Sequence, residues 1–148
     1  MLVTIYIETT LHGPAKRSGV GMWLIEGTYS DGRTDKREGT IYRKETTENR
    51  LCLELLRIAF GRFHKSTSVR VNTRCEHLLN SCQNHHPAQW EKNGWTKAGG
   101  KPLKNRELWK HVYGLMKQHR VTVVNEENPH LQEMEEAMRK EIMENKER

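Results

Sequence analysis

An α/β fold built on a mixed five-stranded sheet is what this sequence predicts, on three observations. Three strand-like runs follow one another before residue 45, separated by turn residues. Two further β-rich runs, at 68–73 and 120–124, each follow a helical stretch, and a strand reached through a helical crossover lies parallel to its neighbour. The length, 148 residues, is that of one ordinary domain, so a single domain over 1–148 is expected.

Leu2 to Glu8 (LVTIYIE) is rich in β-branched and aromatic residues and reads as the first strand. Val20 to Ile25 (VGMWLI) reads as the second, with Trp23 in the core, after a loop of Gly, Pro, Lys and Arg. Asp31-Gly32 marks a turn, and Gly39 to Lys44 (GTIYRK) completes an antiparallel meander. Thr46-Thr47-Glu48-Asn49 supplies helix caps, and Leu51, Leu55, Ile58, Ala59 and Phe63 then recur at helical spacing, which predicts a helix over about 47–64. A short strand over 68–73 and a brief helix over 75–83 follow, and His85-His86-Pro87 is expected to break that helix. The two histidines lack a second ligand pair at useful spacing, so a loop is expected there and no metal site. From Trp90 to Pro102 aromatic, basic and Gly residues alternate without a period. Leu108, Trp109, Val112, Leu115 and Met116 then restore a helix over about 105–119. After the strand Arg120 to Val124 and after Pro129, strong helix formers give an acidic final helix over about 130–146.

Composition excludes some classes of function. The hydrophobic share is 34% with mean hydropathy −0.89, and no apolar run approaches the roughly 18–20 residues that span a bilayer, so no membrane partner is expected. The N-terminal run carries no charged stretch ahead of an apolar one, as a secretory leader would, and a cytoplasmic location is expected. Cys52, Cys75 and Cys82 are odd in number and lack CxxC spacing, which argues for reduced thiols. The net charge of +6 permits a polyanionic partner. Its distribution says more: Glu91 to Lys110 holds six basic residues against two acids, and Glu126 to Arg148 eight acids against four bases.

From Trp90 to Trp109 the chain reads WEKNGWTKAGGKPLKNRELW. The W-x-K-x-G-W run, the K-P-x-K-N run and the closing L-W resemble the basic handle of bacterial-type ribonuclease H. The order of elements is similar to that family's, and weaker similarity runs from about Leu2 to Lys140. The resemblance implies a ribonuclease H-like fold with a handle over about 84–104. It also implies a nucleic-acid partner, an RNA/DNA hybrid or a structured RNA, met by Lys92, Trp95, Lys97, Lys101 and Lys104. Asn49, Arg50 and Asn105 match polar positions that line the family's substrate groove or hold its rim, although Asn49 suits a helix start equally well. Trp90, Trp95 and Trp109 equally suit packing of the handle helix on its neighbour, and for Trp109 that core role is favoured.

The family is similar to other two-metal nucleases in holding two Mg²⁺ ions with an Asp-Glu-Asp-Asp set, and Mg²⁺ demands hard oxygen ligands. Along this chain the first position is Glu8, the second Cys52, the third Arg74 and the last Glu135, with Glu136 beside it. Arginine is permanently protonated and ligates no cation. Glu54 lies two residues beyond Cys52, a rotation of about 200° that should turn it away from the site. His130 does not align with the family's catalytic-loop histidine and reads as an exposed helix-start residue. The expectation is a monomeric chain that binds and does not efficiently cut, with no metal ligand set and no cofactor, in which Arg74 forks between Glu8 and Glu135. Two alternatives stay open: a divergent active nuclease using Glu8, Glu54 and Glu135 with Mg²⁺ or Mn²⁺, and a scaffold whose basic and acidic faces meet a protein partner.

Overall fold

The computed structural model describes residues 1–146. Strands β1 (Leu2–Thr9), β2 (Arg17–Thr28) and β3 (Thr34–Thr46) form the antiparallel meander; helix α1 (Glu48–Phe60) then crosses to β4 (Ser68–Thr73). Helices α2 (Glu76–Gln83), α3 (His86–Lys92) and α4 (Arg106–Met116), with a single 3₁₀ turn at Ala98–Gly100, lead to β5 (Arg120–Val124), and α5 (Leu131–Lys146) ends the described chain. The sheet order is β3-β2-β1-β4-β5, with β1 antiparallel to β2 and parallel to β4, and β4 parallel to β5. This is the mixed five-stranded sheet with flanking helices that the sequence predicts. No helix among the described residues is long and apolar enough to cross a membrane.

The two faces of the sheet are covered unequally. On one, Leu51, Leu55, Leu56 and Ala59 of α1 are fully buried against Ile5, Ile7, Val71 and the helices α2 and α4. Gly21 allows this: a Cβ there would stand 2.7 Å from Leu55 Cδ1, so a side chain at this point of β2 would lift α1 off the sheet. On the other face α5 offers Met134 and Met138 to Tyr6, Val20, Met22 and Leu24.

Three expectations are corrected. Strands β2 and β3 are longer than their apolar centres, because β3 is an edge strand with one neighbour, and its charged residues project to solvent without breaking the ladder. Helix α2 ends at Gln83 as expected, but the loop expected at His86-Pro87 is the first turn of α3, where the missing N–H of Pro87 costs nothing. Helix α1 stops at Phe60, with Gly61 as its cap, before the last residue of its apolar period, Phe63, and α4 stops at Met116, the last apolar residue of its period and short of the expected end at 119.

Candidate functional site

Strand β1 ends beside the parallel strand β4, and the N-terminal turn of α1 lies over both ends. Glu8, Cys52 and Arg74 thereby share one small cleft with Thr9, His12, Glu48 and Cys75. Glu8 is 4% exposed, and both of its oxygens are engaged. Arg74 donates to Oε1 from Nε at 3.0 Å and from Nη2 at 2.7 Å, while Asn128 Nδ2 donates to Oε2 at 3.2 Å. Arg74 therefore closes a two-pronged hold on a single oxygen and does not fork between two carboxylates. Glu135 is exposed on α5 and lines an adjoining cleft with Arg74, His12 and Arg139, but it makes no ion pair with Arg74.

Glu48 is a carboxylate that the sequence reading passed over. It lies four residues before Cys52, hence on the same face of α1, a spacing that could have flagged it. Its Oε1 accepts the Gly13 N–H at 3.3 Å, and Oε2 is 4.0 Å from His12 Nδ1. The Cys52 thiol is held well above its usual range by a hydrogen bond with Cys75 and by burial, so it stays protonated. The same hydrogen bond lowers Cys75.

Two Mg²⁺ ions, which the resemblance implies here, do not suit this donor set. The Glu8 oxygens are occupied by N–H donors, Cys52 is a neutral buried thiol, and Arg74 brings a cation where an anion is required. Among the described residues no three His, Cys, Asp or Glu side chains are disposed to hold a metal ion.

Glu54 turns away as expected, and it is buried: Arg43 Nε and Nη2 stand 2.9 and 2.8 Å from its Oε2. His130 corrects its expectation. Its side chain is 17% exposed, edge-on to Tyr6, with Nε2 2.9 Å from Glu26 and Nδ1 3.0 Å from Glu133, so it pins α5 to the sheet. Asn49 Oδ1 accepts from the Cys75 thiol at 3.6 Å, and Asn105 Oδ1 accepts from Arg50 Nη1 at 3.2 Å.

The handle is built from α3 and the loop beyond it. Lys97 N–H donates to Lys101 O at 2.9 Å, and Gly99 and Gly100 take the positive φ that this tight return needs. Lys92, Lys97, Lys101 and Lys104 all point to solvent. Trp95 does not: it is 6% exposed, edge-on to Tyr113, and Trp90 is edge-on to Trp109. Of the two roles the sequence leaves open for Trp95, the binding surface is thus corrected and the packing one holds, because its ring roots the handle.

The model that defines the RNase H family matches residues 2–125. The chain belongs to the RNase H family. It is 30% identical over 120 residues to the ribonuclease H of Chlorobium phaeobacteroides (strain BS1), covering 81% of this chain and 78% of that one. A Clostridium botulinum (strain Hall) ribonuclease H is 24% identical over 122 residues, covering 82% and 80%. The RNase H fold is repeated in the crystal structure of a type 1 RNase H with the type 2 active-site motif, with TM-score 0.70 and 20% identity, over 86% of this chain and 64% of that one. It recurs in a foamy viral protease-reverse transcriptase in complex with an RNA/DNA hybrid, with TM-score 0.65 and 17% identity, over 93% of this chain and 19% of that one. The family match stops at residue 125, so the assignment of Glu135 to the last carboxylate position of the RNase H set lies outside it.

Proposed function

We propose that this RNase H-family chain binds an RNA/DNA hybrid, or a structured RNA of similar A-like shape, and does not cleave it efficiently. The observation that carries the reading is the Arg74 guanidinium on Glu8, an internal cation at the position where the family needs two metal ions. Four solvent-facing lysines on the handle supply a shape- and charge-directed hold on a phosphate backbone. A hybrid comes first among the candidates because relatives are ribonucleases H and one structure of similar fold is bound to a hybrid. Glu54, committed to Arg43, gives the alternative of a divergent nuclease no support.

The test is one sample carried through two measurements. With Mg²⁺ or Mn²⁺ present, a labelled hybrid should remain intact. Fluorescence anisotropy should report binding whose affinity falls steeply with salt, and Lys97→Ala, Lys101→Ala and Lys104→Ala together should flatten the slope of log K against log salt by up to about 3. Turnover at a rate typical of enzymes, on the order of 1 s⁻¹ or faster, would refute the loss of cleavage. An unchanged slope would refute the handle as the binding surface.

A further inference from the structure

Cys52 and Cys75 are two sulfurs that the proposed binding chemistry does not use. Cys52 lies in the second turn of α1, where the family places a carboxylate, and Cys75 is the N-cap of α2, directly after Arg74. Helix α1 and the turn from β4 to α2 bring them together: the two thiols are hydrogen-bonded, and both line the cleft beside His12. Cys75 Sγ also stands 3.6 Å from Asn49 Oδ1, one turn before Cys52 on the same face of α1. The backbone of Cys75 is fixed from elsewhere, because its N–H donates to Thr73 Oγ1 at 3.1 Å and its carbonyl accepts the Leu79 N–H at 3.0 Å. The sulfur therefore faces α1 and not solvent.

The two thiols are unlike. Cys52 is 2% exposed and stays protonated, as described above. Cys75 is lowered by its hydrogen bond with Cys52 and by the Leu78 and His77 N–H groups at the start of α2, against the effect of burial. A sulfur with thiolate character beside a protonated one is a pairing of attacking and resolving thiol. The cleft beside them has a volume of about 10 Å³, the space of roughly one water, so an oxidant that enters it must be nearly that small. Cys82 shares none of this: it lies two turns along α2, in a groove with residues of α3 and β5, and burial raises it.

We propose that Cys52 and Cys75 form a peroxide-responsive disulfide site, reduced at rest, in which Cys75 is the attacking sulfur and Cys52 the resolving one. The Cys75 sulfur attacks one oxygen of hydrogen peroxide, the O–O bond breaks, and the second oxygen leaves with the thiol proton as water, giving a sulfenic acid. The Cys52 sulfur then attacks the Cys75 sulfur, the S–O bond breaks, and hydroxide leaves with the Cys52 proton as a second water. Two thiols lose two electrons, and one peroxide gains them. The new bond ties the turn that carries Arg74 to α1, and Asn49 loses its S–H donor. A transient disulfide of this kind suits a chain whose thiols are otherwise reduced, and it does not depend on what the chain binds.

The test treats the folded wild-type chain with hydrogen peroxide, unfolds it, alkylates the remaining thiols and maps the tryptic peptides by mass. The expected product joins 51–57 to 75–92, lighter than the two free peptides by two hydrogens, with Cys82 alkylated within it and the bond lost on reduction. The oxidised chain should melt about 5 °C above the reduced one, because the bond restricts the unfolded chain. In Cys52→Ser, peroxide should leave a sulfenic acid on Cys75 that dimedone traps on unfolding, whereas Cys75→Ser should show little trapping on Cys52. Three free thiols after peroxide, an over-oxidised Cys75 with Cys52 free, a bond to Cys82 or between two chains, or linkage no faster in the folded chain than in urea overturns the site, and none of these needs a variant. An unshifted melting point in a chain that carries the bond overturns the tie to α1. Equal trapping on the two sulfurs overturns the assignment of attacking and resolving thiol.

Discussion

Arg74 spends two of its N–H groups on one oxygen of Glu8, and the other Glu8 oxygen has only an amide donor. Removing the guanidinium leaves a buried carboxylate without a counter-charge. Arg74→Ala should therefore lower stability by about 2–4 kcal/mol in urea unfolding, while the melting temperature of the wild type should not respond to millimolar Mg²⁺. A parent-like Arg74→Ala, or a wild type stabilised by Mg²⁺, would show that the guanidinium is not the internal cation. Cys82 makes a second single-residue case. Burial pushes its thiol from 9.0 up to about 12, so above pH 9 the unfolded chain loses a proton that the folded chain keeps. Stability then falls as pH rises, by up to about 1.4 kcal/mol per pH unit until the folded thiol also titrates. Cys52, also raised, acts with the same sign, and Cys75, lowered, opposes it. Cys82→Ala should flatten the alkaline decline of the melting temperature; an unaltered decline would assign it to other groups.

Among the elements, the handle shows why a motif can be legible while the job of its parts is not. The W-x-K-x-G-W spacing located the handle, but a tryptophan among lysines looks the same in sequence whether it stacks on a base or roots a loop. The structure gives Trp95 a positive φ of 64° and a buried ring. Trp95→Ala should cost about 3–5 kcal/mol in unfolding, as loss of a packed aromatic does. Lost hybrid affinity at unchanged stability would restore the stacking role. Other misreadings have similar causes. The charged run of β3 hid an edge strand, since such a strand needs only one neighbour and no apolar face outward. The run His85-His86-Pro87 does end α2, but it hid the start of α3, because a proline suits the first turn of a helix as well as a loop. Glu8, Cys52 and Arg74 were legible because strand ends and helix starts fix their place. The partners Arg43 and Asn128 were not, since each reaches its carboxylate across a tertiary interface.

Over the whole molecule, the order of strands and crossovers followed from local patterns, because parallel pairing here is imposed by the helices between strands. Charge segregation was legible too, but its consequence depends on topology: the acidic α5 lies on the face of the sheet opposite α1 and α4. The unequal cover of those faces leads to a hierarchy of opening. The large core locks α1, α2 and α4 to the sheet, whereas α5 is held by Met134 and Met138 and by polar pins at His130 and Lys36. In native-state hydrogen exchange its amides should open at a lower free energy than those of β1 and α1, as a separate cooperative unit. Exchange of α5 only with global unfolding would refute this. When α5 lifts, Val20, Met22 and Leu24 meet water, and Glu8 loses the neighbouring Asn128 if the segment between β5 and α5 goes with it. The seat of Arg74 is thus exposed to transient undocking from the rear of the sheet, so proteolytic nicking of α5 would register as a loosened Arg74–Glu8 pair even though α5 contributes no atom to it.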